Sequence, residues 1–138
     1  MKIAVAGATG LIGRHVVGAL AGVKGEPVVA TYRLRAPFSA RGVQWVQCDF
    51  NDRDQASRAF AGCSAVVLCA GRVSTSAVLR DEPVESVLDN LRIVTNAMEA
   101  AARGDARHVV LVGSCTGYPP SAALLQEEQY ESGNPPGH

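Results

Sequence analysis

The sequence predicts an α/β chain built on a doubly wound parallel sheet, and three observations predict it. Strand-length apolar runs alternate with segments of helical periodicity along the chain, the pattern of repeated strand–helix–strand units. Those runs are apolar at consecutive positions rather than at every second one, as strands covered on both faces require. The first run opens directly into a glycine-rich turn that leads into a helix. Right-handed crossovers then arrange the strands in the order 3-2-1-4-5. The winding reverses between strands one and four, and the sheet is truncated after the fifth strand.

Taken in order, residues 2–6 (KIAVA) form the first strand, closed by Gly7. The first helix follows over residues 11–21, with Leu11, Ile12, Val16, Val17 and Leu20 as its apolar positions and Gly22 and Gly25 as its stop. Residues 27–32 (PVVATY) form the second strand, and a polar, Pro-containing connection fills residues 33–42. The third strand covers 43–48 (VQWVQC). An acid within Asp49–Asp52 caps the next helix, which reaches Phe60 and ends at Gly62. Residues 65–70 (AVVLCA) are the fourth strand, bounded by Gly71. The longest helix begins near Pro83, which suits a first turn, and continues to Arg103. Its Val84, Val87, Leu88, Leu91, Val94 and Met98 fall at i, i+3, i+4, i+7 spacing. Residues 107–113 (RHVVLVG) are the fifth strand. The tail, 115–138, reads as irregular, with a helical turn expected near 124–130.

Composition narrows the function. Hydrophobic residues make up 47% and charged residues 19%, and the mean hydropathy is +0.08. That is apolar enough for some surface to be meant for another segment or subunit, so a homo-oligomer is expected. The 13 basic and 13 acidic residues cancel, which leaves no basic footprint for nucleic acid. The apolar runs are too short to span a bilayer, and the first residues lack the pattern of a signal peptide. Cys48, Cys63, Cys69 and Cys115 show no C-x-x-C pair and no metal-ligand spacing. A reduced, cytoplasmic protein without a metal site, a nucleic-acid partner or a membrane partner is expected.

The chemistry begins at Gly7-Ala8-Thr9-Gly10-Leu11-Ile12-Gly13. Three glycines at this spacing between a strand and a helix suit a dinucleotide: Gly7 for the tight turn, Gly10 for close approach to a pyrophosphate, Gly13 for close packing of the helix. The amide N–H groups and the positive end of the helix dipole then face the anion. The second strand ends in Thr31-Tyr32-Arg33-Leu34-Arg35, where an NAD site usually carries an acid for the ribose hydroxyls. Arg33 and Arg35 instead suit a 2′-phosphate, so NADP(H) is preferred over NAD(H). Two solvated surface arginines are the competing reading. In Asp49-Phe50-Asn51-Asp52, Asp49 is placed to accept from an adenine amino group with Phe50 against the ring, while one of the two aspartates serves as helix cap.

The run VAGATGLIG, DFND after the third strand, LCAG at the end of the fourth, DNLRIVTNAMEAA on the long helix and HVVLVGSCTGYPP occur in that order. Together they resemble the extended short-chain dehydrogenase/reductase family, the NAD-dependent epimerase/dehydratase group, over essentially the whole chain. GSCTGYP most resembles enzymes of the GDP-fucose synthase type and others acting on nucleotide sugars. The resemblance implies a Rossmann-like fold and hydride chemistry on a hydroxy or keto carbon, with a nucleotide sugar as the small-molecule substrate class. It implies a catalytic role for Ser114, cofactor contacts for Ala70 and Gly71, support of the active-site backbone by Asn90, and a sugar-facing Thr116. Each has a plainer reading: a strand-end turn for Ser114, an ordinary helix residue for Asn90. His15 and His108 read as surface or packing residues.

The resemblance also implies a Tyr-x-x-x-Lys pair roughly 25 to 30 residues past the serine, in which the lysine brings the tyrosine into a useful range. None of Tyr32, Tyr118 and Tyr130 has a lysine four residues later, and the lysines are Lys2 and Lys24. The chain is therefore expected to be a fragment, a truncated reading frame or the ordered part of something longer. Its parent reads as an NAD(P)-dependent epimerase, dehydratase or reductase. The alternative is a non-catalytic NADP(H)-binding or redox-sensing module, and the plainest is a relic that folds and binds nothing.

Overall fold

A computed structural model describes residues 1–23, 26–73, 83–114, 118 and 124–129. Five strands, β1 (Ile3–Ala6), β2 (Val28–Tyr32), β3 (Val43–Gln47), β4 (Ala65–Leu68) and β5 (His108–Leu111), form one sheet in the order β3-β2-β1-β4-β5. Every pairing is parallel, from Ile3 beside Val28 to Leu68 beside Leu111. The expected Rossmann-like order, with its reversal between β1 and β4, is the one observed.

The helices α1 (Leu11–Ala21), α2 (Arg53–Phe60) and α3 (Pro83–Arg103) divide between the two faces. Alternation along the strands explains how. Val5, Val28 and Ala30 face α1 and its Val17, whereas Ala4, Ala6, Val29, Val66 and Leu68 face α2 and α3. The connection 33–42 contains no helix, and its Phe38 plugs the α1 side instead, packing edge-on against Trp45 at 5.0 Å with Arg14 over its outer face. Beyond β5, a 3-10 turn at Glu127–Gln129 is the helical turn of the tail; the rest of 115–138 apart from 118 and 124–126 lies outside the described residues.

Helical spacing marks α3 correctly but leaves its buried face undecided. Of the apolar positions that mark it, Val94 packs against the core and the others face outward. Val84 and Leu91 are 65% and 58% exposed, and Val87, Leu88 and Met98 are exposed too. The buried stripe is Ser86, Ile93, Ala97, Ala100 and Ala101. The small residues let the helix approach α2 and the sheet closely, and dense packing rewards that approach. A helix apolar on two sides is normally covered on both. Likewise β5 is not covered on both faces: all four of its residues are exposed, Val110 to 57%. Helix α3 packs against β4 and α2, and the described residues leave the last strand exposed.

Candidate functional site

The C-terminal ends of β1 to β4 open into a single cleft of about 480 Å³, within the range of small-molecule sites. Its floor is the turn after β1. Gly7 has φ +70°, and a Cβ there would lie 2.7 Å from Ala70 Cα, so both the backbone conformation and the neighbouring strand demand glycine. At Gly13 the demand is purely spatial: a Cβ would meet the Gly7 carbonyl oxygen at 2.3 Å and Ala8 Cα at 2.8 Å. The helix start thus packs on the turn itself. Strand β2 ties this turn down, because Gly7 N–H donates to Thr31 Oγ1 at 3.1 Å and Ala8 N–H to the Thr31 carbonyl at 2.8 Å. Gly10 is the N-cap of α1, and the first turn holds no acid. The leading N–H groups and the helix dipole therefore keep their positive character for an anion from outside. A diphosphate suits this cradle, whose shape depends on glycine at both positions: a side chain at Gly7 or Gly13 would force the turn away from β4 or from the helix start.

Gly7, Thr9, Gly10, Leu11, Arg33, Arg35, Asp49, Phe50, Ala70 and Gly71 all line the cleft. Ala8 is buried in the core behind the turn, while Ile12 and Gly13 sit on α1 outside the lining, Ile12 exposed and Gly13 buried. The arginines are partly engaged. Arg35 Nη1 donates to the Thr9 carbonyl at 3.2 Å, and Arg33 Nη1 lies 4.0 Å from Asp49 Oδ2. Phe50 differs from expectation: it is only 5% exposed and packs at 5.4 Å on Phe60 in the core. It closes the cleft from beneath and does not offer an open plate to a ring.

The two aspartates divide their tasks. Asp52 caps α2, its Oδ1 accepting from Asp54 N–H at 2.9 Å and Gln55 N–H at 3.0 Å. Asp49 accepts from Asn51 N–H at 3.0 Å and stays on the cleft wall. The Gln55 N–H, the Gln55 carboxamide, the Asp54 N–H and Arg58 hold the Asp52 carboxyl below its usual range. A lowered value means that the charged cap contributes fully above the ordinary carboxylate value, about 4, and that this is lost as pH falls through the depressed value. Thermal unfolding should accordingly find Asp52→Asn less stable than wild type at about pH 6, with the gap closing below about pH 4. A gap that persists in acid would contradict the assignment.

Asn90 does not line the cleft. From α3 its Oδ1 accepts from Arg72 N–H at 2.8 Å, and its Nδ2 donates to the carbonyls of Arg72 and Ser86, both at 3.0 Å. It braces the backbone just past Gly71. Ser114 is exposed beyond β5 and stands apart from the cleft lining; Thr116 lies outside the described residues. His15 and His108 are both exposed. Cys48 and Cys69 reach the cleft, but burial first, then the Asp49 and Asp52 charges, push the Cys48 thiol up to about 12. Burial also raises Cys69, so neither is a thiolate near neutral pH. Among the described residues no three His, Cys, Asp or Glu side chains converge as a metal site, and no helix is long and apolar enough to cross a membrane.

Thr31, Arg72 and Ile93 also line the cleft, and sequence reasoning missed them. Thr31 reads as one more β-branched strand residue, and Ile93 as one of many apolar positions on α3. Arg72 did carry a signal, a cation directly after the Gly71 that bounds β4.

The model of the NAD dependent epimerase/dehydratase family matches residues 3–138. The chain belongs to that family. The chain corresponds to the dinucleotide-binding portion of the family's fold. Among solved structures, UDP-glucose 4-epimerase from Thermus thermophilus, solved with NAD, is 25% identical with a TM-score of 0.77, over 94% of this chain and 43% of that one. MoeE5, solved with UDP-glucose and NAD, is 23% identical with a TM-score of 0.78, over 93% and 41%. Uronate dehydrogenase from Agrobacterium tumefaciens is 24% identical with a TM-score of 0.71, over 85% and 42%. This epimerase/dehydratase family member thus spans about two-fifths of the length of each. A comparison with curated proteins found no match.

Proposed function

We propose that this epimerase/dehydratase family chain binds NADP(H), in preference to NAD(H), as the cofactor portion of an enzyme acting on a hydroxy or keto carbon of a nucleotide sugar. The observation that carries the reading is the cleft itself. A turn that demands glycine at Gly7 and Gly13 shares one cavity with Arg33 and Arg35 and with no carboxylate at the end of β2. The bound nicotinamide would supply hydride transfer. The chain's own residues do the holding: the turn receives the diphosphate, Arg33 and Arg35 pair with a 2′-phosphate, and Asp49 accepts from the adenine amino group. The neighbours crystallised with NAD support the dinucleotide and leave the 2′-phosphate to the arginines. Calorimetric titration of NADPH and NADH tests the reading: NADPH binding more tightly supports it, and no binding of either removes it.

A second reading, a binding module without catalysis, is favoured by the position of Ser114 outside the cleft lining. Cofactor binding without any turnover of keto or hydroxy sugar nucleotides would select it. The protein's place in the cytoplasm is part of the same proposal, resting on Cys48, Cys63 and Cys69, which are all free thiols.

The chain also self-associates in this reading. The outward stripe of α3 (Val84, Val87, Leu91, Met98) and β5, the last strand of the sheet among the described residues, expose apolar surface. Sedimentation should give dimers or larger species at micromolar concentration, and Leu91→Glu should shift them toward monomer. A monodisperse wild-type monomer at high concentration would contradict this.

A further inference from the structure

We infer that Phe38 is the positioning residue that sets the preference for NADP(H), by anchoring the segment that carries Arg33 and Arg35. The inference rests on the NADP(H) reading above and deepens it. Both arginines line the cleft, but the connection 33–42 that carries them contains no helix and no strand. No ladder of backbone hydrogen bonds therefore fixes their place. A long side chain on an unanchored backbone holds a phosphate poorly, because backbone and side chain must both be ordered when the ligand arrives. Selectivity for a 2′-phosphate accordingly depends on what pins this segment to the rest of the domain.

The segment is pinned on both sides of the arginines. Before them, Cys48 N–H donates to the Tyr32 carbonyl at 2.8 Å, and Gln47 Nε2 donates to the Arg33 carbonyl at 3.1 Å. Between the two pins, Arg35 Nη1 reaches the Thr9 carbonyl at 3.2 Å. After them, Phe38 packs on the apolar cluster of the α1 side. Its ring stands edge-on to Trp45 at 5.0 Å, and the Arg14 guanidinium lies 6.0 Å over its face. Trp45 and Gln47 are two apart on β3 and so share a face of the sheet, with Gln47 in register beside Tyr32. That one face of β3 holds the segment at Arg33 and again at Phe38. The Gln47 bond is exposed, where water competes for both partners. Phe38 is half-buried, and it adds apolar burial, a ring contact and a cation over its face. It is the stronger anchor. Phe38 stands outside the cleft lining, so it acts on a ligand only through the arginines it places.

The test is calorimetry of the whole chain with NADPH and NADH, beside limited trypsin digestion that reads cleavage after Arg33 and Arg35. Phe38→Ala should speed that cleavage and weaken NADPH about fivefold or more, with NADH changed by less than about twofold. Phe38→Leu, which keeps an apolar anchor, should retain most of the preference. Gln47→Ala, an exposed change that spares the core, should lower the ratio of NADPH to NADH affinity by about twofold. Equal losses for both cofactors in Phe38→Ala would overturn the inference, because a merely structural residue would move both. Faster cleavage with an unchanged ratio would overturn it, and so would unchanged cleavage. Should Phe38→Ala fail to fold, Gln47→Ala decides, and an unchanged ratio there overturns the inference. Wild type that binds NADPH no more tightly than NADH would instead remove the NADP(H) reading, and this inference with it.

Discussion

Gly13→Ala is expected to cost about 3 kcal/mol of stability and to lower the thermal midpoint by roughly 10 °C, with dinucleotide binding falling at least about tenfold. The added methyl would sit 2.3 Å from the Gly7 carbonyl oxygen, 2.8 Å from Ala8 Cα and 2.9 Å from the Gly7 carbonyl carbon. All three are backbone atoms, so no side chain can swing away. Either α1 moves off the turn, which displaces the N–H groups that face the ligand, or the turn shifts toward β2 and breaks its bonds to Thr31. Gly18→Ala, in the same helix, provides the control. Its added methyl meets nothing within 4 Å, and alanine in a helix is favoured over glycine by about 0.5–1 kcal/mol. Two substitutions of the same kind in one helix should therefore change stability in opposite directions. Urea and thermal unfolding of both variants measure this, and a shared sign would refute the packing argument.

Removing both arginines, in Arg33→Ala/Arg35→Ala, should abolish the preference for NADPH over NADH. A hydrogen bond to a charged group contributes about 1.5–3 kcal/mol, so NADPH affinity should fall roughly 10- to 100-fold while NADH changes much less. Arg33→Ala alone is the cleaner variant, because Arg35 also holds the Thr9 carbonyl and its loss loosens the turn. Arg33 carries one complication: Asp49 Oδ2 lies 4.0 Å away and draws on the same charge. Asp49→Asn should for that reason raise the ratio of NADPH to NADH affinity modestly, since both cofactors lose the same charged adenine contact. The NADPH advantage should shrink with added salt, as expected for a charge on a side chain that is 51% exposed. Wild type that binds NADH as tightly as NADPH would end the NADP(H) proposal and leave the two arginines as solvated side chains.

Much of this protein follows from neighbours in sequence. Helix α1 runs from Leu11 to Ala21, and its limits were legible because glycines stand at both ends. The strand order follows from right-handed crossovers between elements whose lengths and periods are plain in the residues. The glycine turn needs only the spacing of Gly7, Gly10 and Gly13 between a strand and a helix. These features depend on backbone sterics and on period, which act over a few residues at a time.

Other features were settled only when distant segments met. Periodicity states that α3 has apolar stripes, and α3 has two; the sheet selected the one with Ala97, Ala100 and Ala101 because close approach maximises contact. Phe50 looked equally suited to a ring-stacking wall, but Phe60, ten positions on, drew it into the core. Either Asp49 or Asp52 was suited to cap α2, and the start of the helix at Arg53 left Asp49 to the cleft. The grip of Asn90 on Arg72 joins residues 18 apart in sequence. In each case the local pattern offers more than one orientation of nearly equal energy, and the choice is made by whatever surface arrives from elsewhere in the chain.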